Sequence, residues 1–97
     1  MDLIAVFGLG HIGLPTAALF AKAGFKVIGV DINPDIVNSI NQGISPIIEP
    51  GLDELLVEVV KKGKLKATDD GEYAARKANI MIIVVPTPLG ADKSSDL

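Results

Sequence analysis

Short apolar runs alternate along this chain with longer stretches in which apolar residues recur every three or four positions. Leu3–Phe7, Phe25–Val30 and Asn79–Val85 are the runs. A strand with one wet face would alternate in polarity, so these runs predict strands buried on both faces. Leu65–Thr68 predicts a shorter strand, near a sheet edge. Between them, Ile12 to Ala23 predicts a helix apolar nearly all round. Pro15 falls in its first turn, where backbone N–H groups lack partners anyway, and Gly24 is the expected stop. Asn33 and Pro34 are a capping residue followed by proline at the first helical position, with Ile36, Val37 and Ile40 as the apolar face behind them. Gln42 to Pro50 is a loop. Leu52, Leu55, Leu56, Val59 and Val60 then repeat at helical spacing, with Asp53 and Glu54 at the positive end of the helix, Lys61 and Lys62 at the negative end, and Gly63 closing it. Asp69 or Asp70 caps a brief helix reaching about Lys77. Beyond Pro88 the chain turns polar, and residues 89–97 predict a loop or disordered tail.

The resulting order, β-α-β-α-α-β-α-β, implies right-handed crossovers and a parallel sheet. The predicted class is α/β, a Rossmann-type doubly wound sheet of four strands in the order 3-2-1-4 with flanking helices. The 97 residues make one such domain, or part of one. With 48% of residues hydrophobic and only 4% aromatic, the core must be built of Ile, Val, Leu and Ala. The net charge of −3, with Lys and Arg forming no stripe, argues against nucleic acid and anionic membrane as partners. There is no cysteine, hence no disulfide framework and no thiol nucleophile. The longest apolar run, Ile80 to Pro86, is too short to cross a bilayer, and the N-terminus lacks the features of a signal peptide. The default compartment is the cytoplasm.

Gly8, Gly10 and Gly13 form G-x-G-x-x-G between a predicted strand and a predicted helix, the context in which this common string becomes a dinucleotide fingerprint. Gly8 permits the tight turn, Gly10 leaves the pyrophosphate unobstructed, and Gly13 lets the helix pack closely on the sheet. The helix start, at His11 and Ile12, then turns free N–H groups and a positive dipole end toward phosphate. Asp31 ends the second strand about twenty residues on, where a carboxylate accepts from both adenosine ribose hydroxyls and repels a 2′-phosphate. Asn33 fits the capping role better, which leaves Asp31 spare for a ligand. No Arg or Lys lies between Asp31 and Asn41, so the cofactor read from these residues is NAD rather than NADP. Pro86 and Thr87 follow the fourth strand at its carboxyl end, where open α/β sheets bind ligands. They read equally well as a strand terminator. His11, the one histidine, has no visible acid partner and reads as an incidental surface residue of the turn. Glu49, Pro50 and Gly51 are explained by helix entry, and Asp69–Asp70 by capping.

The run VFGLGHIGLPTAALFAKAGFKVIGVDINPDIV resembles the N-terminus of the UDP-sugar 6-dehydrogenases, the group of UDP-glucose and UDP-N-acetylmannosamine dehydrogenases. PIIEPGLDELL, ATDD and IVVPTP match in order, and the GLPTAALFA and VPTP wording is most similar to the UDP-N-acetyl-D-mannosamine branch. The resemblance implies NAD-dependent oxidation of a sugar 6-hydroxyl to a carboxylate through two hydride transfers. It places Gly10 to Ile12 at the pyrophosphate, Asp31 at the adenosine ribose, and Pro86–Thr87 at the cofactor's inner side. His11 stands where the family usually has an aromatic residue. The family's catalytic cysteine, lysine and asparagine lie beyond the matched segment. The chain therefore reads as a partial NAD-binding domain, 1–97, with no catalytic residue of its own; a UDP-sugar would bind only to a full-length parent. Two other readings share the glycine turn: a nucleotide-sensing regulatory module, and a different NAD(P) enzyme such as a β-hydroxyacid dehydrogenase. The EPGLDELL and VPTP segments argue against the first. An apolar fourth strand with an open edge further predicts self-association.

Overall fold

The structure, a computed structural model, describes residues 2–84. Its elements are β1 (Leu3–Phe7), α1 (Gly13–Lys22), β2 (Lys26–Val30), α2 (Pro34–Asn41), α3 (Leu52–Lys61), β3 (Leu65–Thr68), α4 (Gly71–Lys77) and β4 (Ile80–Ile83). The four strands are parallel and lie in the order β3-β2-β1-β4, as expected. Pro86, Thr87 and the polar 89–97 segment lie outside the described residues.

Boundaries differ from expectation where a backbone group is used elsewhere. The apolar run predicts β2 from Phe25, but Phe25 belongs to the end of α1. There Gly24 (φ +110°) donates its N–H to the Ala21 carbonyl (3.0 Å), and Phe25 donates to Phe20 (3.2 Å). This is the paired bonding of a helix ended by a left-handed glycine. The Phe20 and Phe25 rings meet edge-on, centroids 6.0 Å apart, supplying the apolar contact that accompanies such an ending. Asn79, expected in β4, instead clamps its start. Its N–H donates to the Leu3 carbonyl (2.8 Å), and its side-chain oxygen accepts from the Leu3 N–H (2.9 Å).

Strand side chains alternate between faces, and the two faces are covered unequally. Ile4 and Val6 of β1 point into a large core with Leu14, Ala17, Ala18 and Ala21 of α1, Ile40 of α2, and Leu56 and Val59 of α3. Ala5, Ile28 and Val30 point the other way, into a smaller cluster closed by Ala74 of α4. The alanines of α1 leave little bulk between helix and sheet, so α1 lies close over the strands. Glu58 of α3 pairs with Lys22 of α1 (2.8 Å) and with Lys62 (3.2 Å), tying the two helices at the surface.

The two sheet edges are finished differently. At β3 the Asn41 amide acts as a substitute strand: its Nδ2 donates to the Ala67 carbonyl (2.9 Å) and its Oδ1 accepts from the Ala67 N–H (2.8 Å). At β4 the outer edge has no partner among the described residues, and Ile80, Met81 and Ile83 are exposed. No helix is long and apolar enough to cross a membrane among the described residues.

Candidate functional site

The site forms where β1 and β2 end side by side, Phe7 in register with Val30. Gly8 leaves β1 at φ +99°, a left-handed conformation that suits a residue without Cβ. Its N–H still donates to the Val30 carbonyl (2.8 Å), so the turn begins while held to β2. A Cβ on Gly8 would lie 2.7 Å from the Val84 carbonyl oxygen, and one on Gly13 would overlap the Gly8 carbonyl oxygen. Both glycines are thus required by the packing of the turn: Gly8 at the bend, as the fingerprint predicts, and Gly13 to clear the Gly8 carbonyl. Gly10 differs from both. It is exposed, and a Cβ there would meet no atom of the described residues within 4 Å. Among the described residues nothing uses that bareness, and the space in front of Gly10 is open.

Helix α1 begins at this bend without a side-chain cap and with no acid in its first turn. The other helices neutralise their starts. Asn33 accepts from the Asp35 N–H (2.9 Å) at α2, Asp70 accepts from Tyr73 (3.0 Å) at α4, and Asp53 and Glu54 stand in the first turn of α3. At α1 the N–H groups of His11, Ile12 and Gly13 have no acceptor among the described residues. Leu14 and Thr16 resume the helical ladder by donating to Gly10 and Ile12 (both 3.1 Å). An uncapped positive helix end with outward amides is suited to an anion. His11 itself is exposed beside this end, with no side-chain partner among the described residues.

Asp31 sits at the mouth of the same bend, but it is not spare. Its Oδ2 accepts from the Leu9 N–H (3.0 Å) and its Oδ1 from the Asn33 N–H (3.0 Å). The expectation that capping by Asn33 would free Asp31 is corrected here: Asn33 does cap α2, yet Asp31 braces both turns. The backbone of Asp31 is fixed as well, its N–H donating to Thr68 of β3 (3.1 Å). A carboxylate offers about four acceptor directions, so two remain after these bonds. The next residue, Ile32, is 92% exposed, which leaves the approach to the carboxylate open.

Asp70, not Asp69, caps α4. Glu49, Pro50 and Gly51 shape the entry to α3, with Leu52 donating to the Glu49 carbonyl (3.1 Å). They also line a groove of about 210 Å³ with Pro15, Leu19, Leu52 and Leu55. Pro86 and Thr87 lie outside the described residues; Val84, two positions before Pro86, packs against the Gly8 turn. Two residues that were not anticipated belong to the site. Leu9, in the middle of the glycine turn, is 1% exposed, and Gly29 of β2 lies beneath its side chain. The signal for Gly29 was present: an isolated glycine inside a strand pattern marks a close approach.

Known proteins resemble this chain in sequence and in fold. Residues 2–97 match the UDP-glucose/GDP-mannose dehydrogenase family, NAD binding domain. The chain is 55% identical over 89 residues to a UDP-N-acetyl-D-mannosamine dehydrogenase of Campylobacter jejuni, and 51% identical over 89 residues to one of Pyrococcus horikoshii. Each alignment covers 92% of this chain and 21% of the relative. The crystal structure of a ternary complex of GDP-mannose dehydrogenase from Pseudomonas aeruginosa superposes with a TM-score of 0.89 at 40% identity, over 96% of this chain and 21% of that one. The chain thus spans about a fifth of the length of the relatives it matches.

Proposed function

We propose, from the premise that the chain belongs to the UDP-glucose/GDP-mannose dehydrogenase family and comprises NAD-binding-domain sequence, that the Gly8–Gly13 bend and Asp31 hold the ADP-ribose half of NAD. The observation that carries this reading is the 3.0 Å bond between Asp31 Oδ2 and the Leu9 N–H. It joins the acid at the end of β2 to the bend that starts α1, so ribose and diphosphate can be engaged together. In this assignment the diphosphate lies over Gly10 and accepts from the amides at His11, Ile12 and Gly13. The two ribose hydroxyls donate to the remaining acceptor directions of Asp31. A 2′-phosphate would meet a carboxylate that two backbone bonds prevent from turning away, which favours NAD over NADP. Pro86 and Thr87 are assigned to the cofactor's inner side on the resemblance alone. Calorimetric titration with NAD, NADP and ADP-ribose tests the reading. NAD and ADP-ribose should bind alike and NADP more weakly; equal affinity for NADP would refute the role of Asp31.

The parent activity that fits this domain is oxidation of a nucleotide-sugar 6-hydroxyl to a carboxylate, in which NAD accepts a hydride in each of two steps. UDP-N-acetyl-D-mannosamine is the proposed substrate, supported by the names of the relatives at 51% and 55% identity. UDP-glucose and GDP-mannose are its competitors. NADH production by the full-length parent with each of the three nucleotide sugars decides among them. The 97 residues in isolation are not expected to turn over any of them. They are expected to self-associate along β4, whose outer edge is apolar, exposed and without a partner among the described residues. A clean monomer in sedimentation at high concentration would refute this.

A further inference from the structure

The glycine turn contains one side chain that points inward, and both ends of that residue are gripped by β2 or its immediate extension. The Leu9 N–H donates to Asp31 Oδ2 (3.0 Å). The Leu9 side chain is buried over Gly29, where a Cβ would stand 2.9 Å from each Leu9 Cδ and 3.4 Å from Cγ. Gly29 is a mid-strand residue without positive φ, so no turn or backbone strain accounts for glycine there. Glycine mid-strand weakens the strand it sits in, and here its bareness is filled by Leu9.

We infer that Gly29 and Leu9 form a notch and pin that set where the diphosphate turn stands relative to the ribose acid. They are positioning residues for the cofactor and need not touch it. This inference rests on the assignment of the turn to the diphosphate of NAD. With the pin seated, the Leu9 N–H is aimed at Asp31 and the Gly10–Ile12 backbone is held at the mouth of the site. A methyl in the notch lifts the Leu9 side chain, and the turn moves with it. The adenosine subsite, anchored through Asp31 on β2 and β3, moves less.

Gly29→Ala tests the pin, with adenosine and ADP-ribose as probes in calorimetry and far-UV circular dichroism as the check on folding. Affinity for ADP-ribose should fall by roughly tenfold or more, the scale set by overpacking a tight core contact. Affinity for adenosine should stay within about threefold. The double variant Gly29→Ala/Leu9→Val removes the two Cδ-level contacts and should restore ADP-ribose affinity to within about threefold of the wild type. A folded Gly29→Ala that binds ADP-ribose normally overturns the inference. Where Gly29→Ala does not fold, a double variant that folds but still fails to bind ADP-ribose overturns it equally. Wild-type protein that binds no ADP-ribose would overturn the proposed function itself, and this inference with it.

Discussion

Asp31→Asn separates the two duties of the carboxylate. In the structure its two oxygens each accept one backbone N–H, from Leu9 and Asn33, both at 3.0 Å. Of about four acceptor directions, two are left, equal to the number of hydroxyls on the adenosine ribose. Asparagine keeps one oxygen and replaces the other with an amide donor. One of the two backbone N–H groups then faces a donor, and the hydroxyls lose an acceptor. Losing a hydrogen bond to a charged group costs about 1–3 kcal/mol, and the loss occurs once in the free protein and once in the complex. Stability should therefore fall by about 1–3 kcal/mol, read from urea denaturation. The dissociation constant for ADP-ribose, measured where the variant is fully folded, should rise by roughly five- to 150-fold. The preference for ADP-ribose over its 2′-phosphorylated form should narrow, because the repelling charge is gone. A variant that loses stability but binds ADP-ribose as the wild type does would show that Asp31 only braces the turn.

Gly13→Ala should destabilise the fold by about 1–3 kcal/mol or more in urea denaturation, because its Cβ would overlap the Gly8 carbonyl oxygen. Gly10→Ala should leave the melting temperature unchanged and still weaken ADP-ribose binding in calorimetry, since the space it fills holds no atom of the described residues. Asn41→Ala should cost about 1–3 kcal/mol of stability through its two lost bonds to Ala67, with no change in ADP-ribose affinity. Hydrogen bonds from Lys22, then Lys62, hold the Glu58 carboxyl below the usual glutamate range. Its folded value is depressed, so its contribution is full above the ordinary glutamate value and is lost as pH falls through the lower folded one. The melting-temperature gap between wild type and Glu58→Gln should close in that acidic window, and should shrink in high salt at neutral pH because the pair is exposed.

Most of the fold was legible because it rests on local chemistry. Buried parallel strands read as apolar runs, Asn33–Pro34 and the Asp69–Asp70 pair mark helix starts, and Gly24 and Gly63 mark stops. Strand order followed from the alternation of elements, and the fingerprint glycines from their place between β1 and α1. Two boundaries differ because a junction residue is used by another element. Asn79 is spent on clamping Leu3, 76 positions earlier, which leaves no signature nearby. Phe25 closes α1 as the apolar residue after the left-handed Gly24, a local ending whose apolar character reads equally as the start of β2.

The bracing role of Asp31 escapes a local reading of the sequence for a related reason. Capping is a contest between residues close in sequence, and Asn33 wins it, so Asp31 looked unemployed. Its second bond goes to Leu9, 22 positions earlier. That contact is nevertheless implied by the topology. If β1 and β2 are neighbours in register Phe7↔Val30, the residues just beyond the two strands must leave the sheet together. Gly8 turns with its N–H still on Val30, and the next N–H, that of Leu9, meets the first side chain past β2. The spacing between a glycine turn and its acid is thus the length of one crossover, the helix α1 and strand β2 that return the chain to the same end of the sheet. The acid is placed by the strand pair, and the turn is placed by the acid from above and by Gly29 from below.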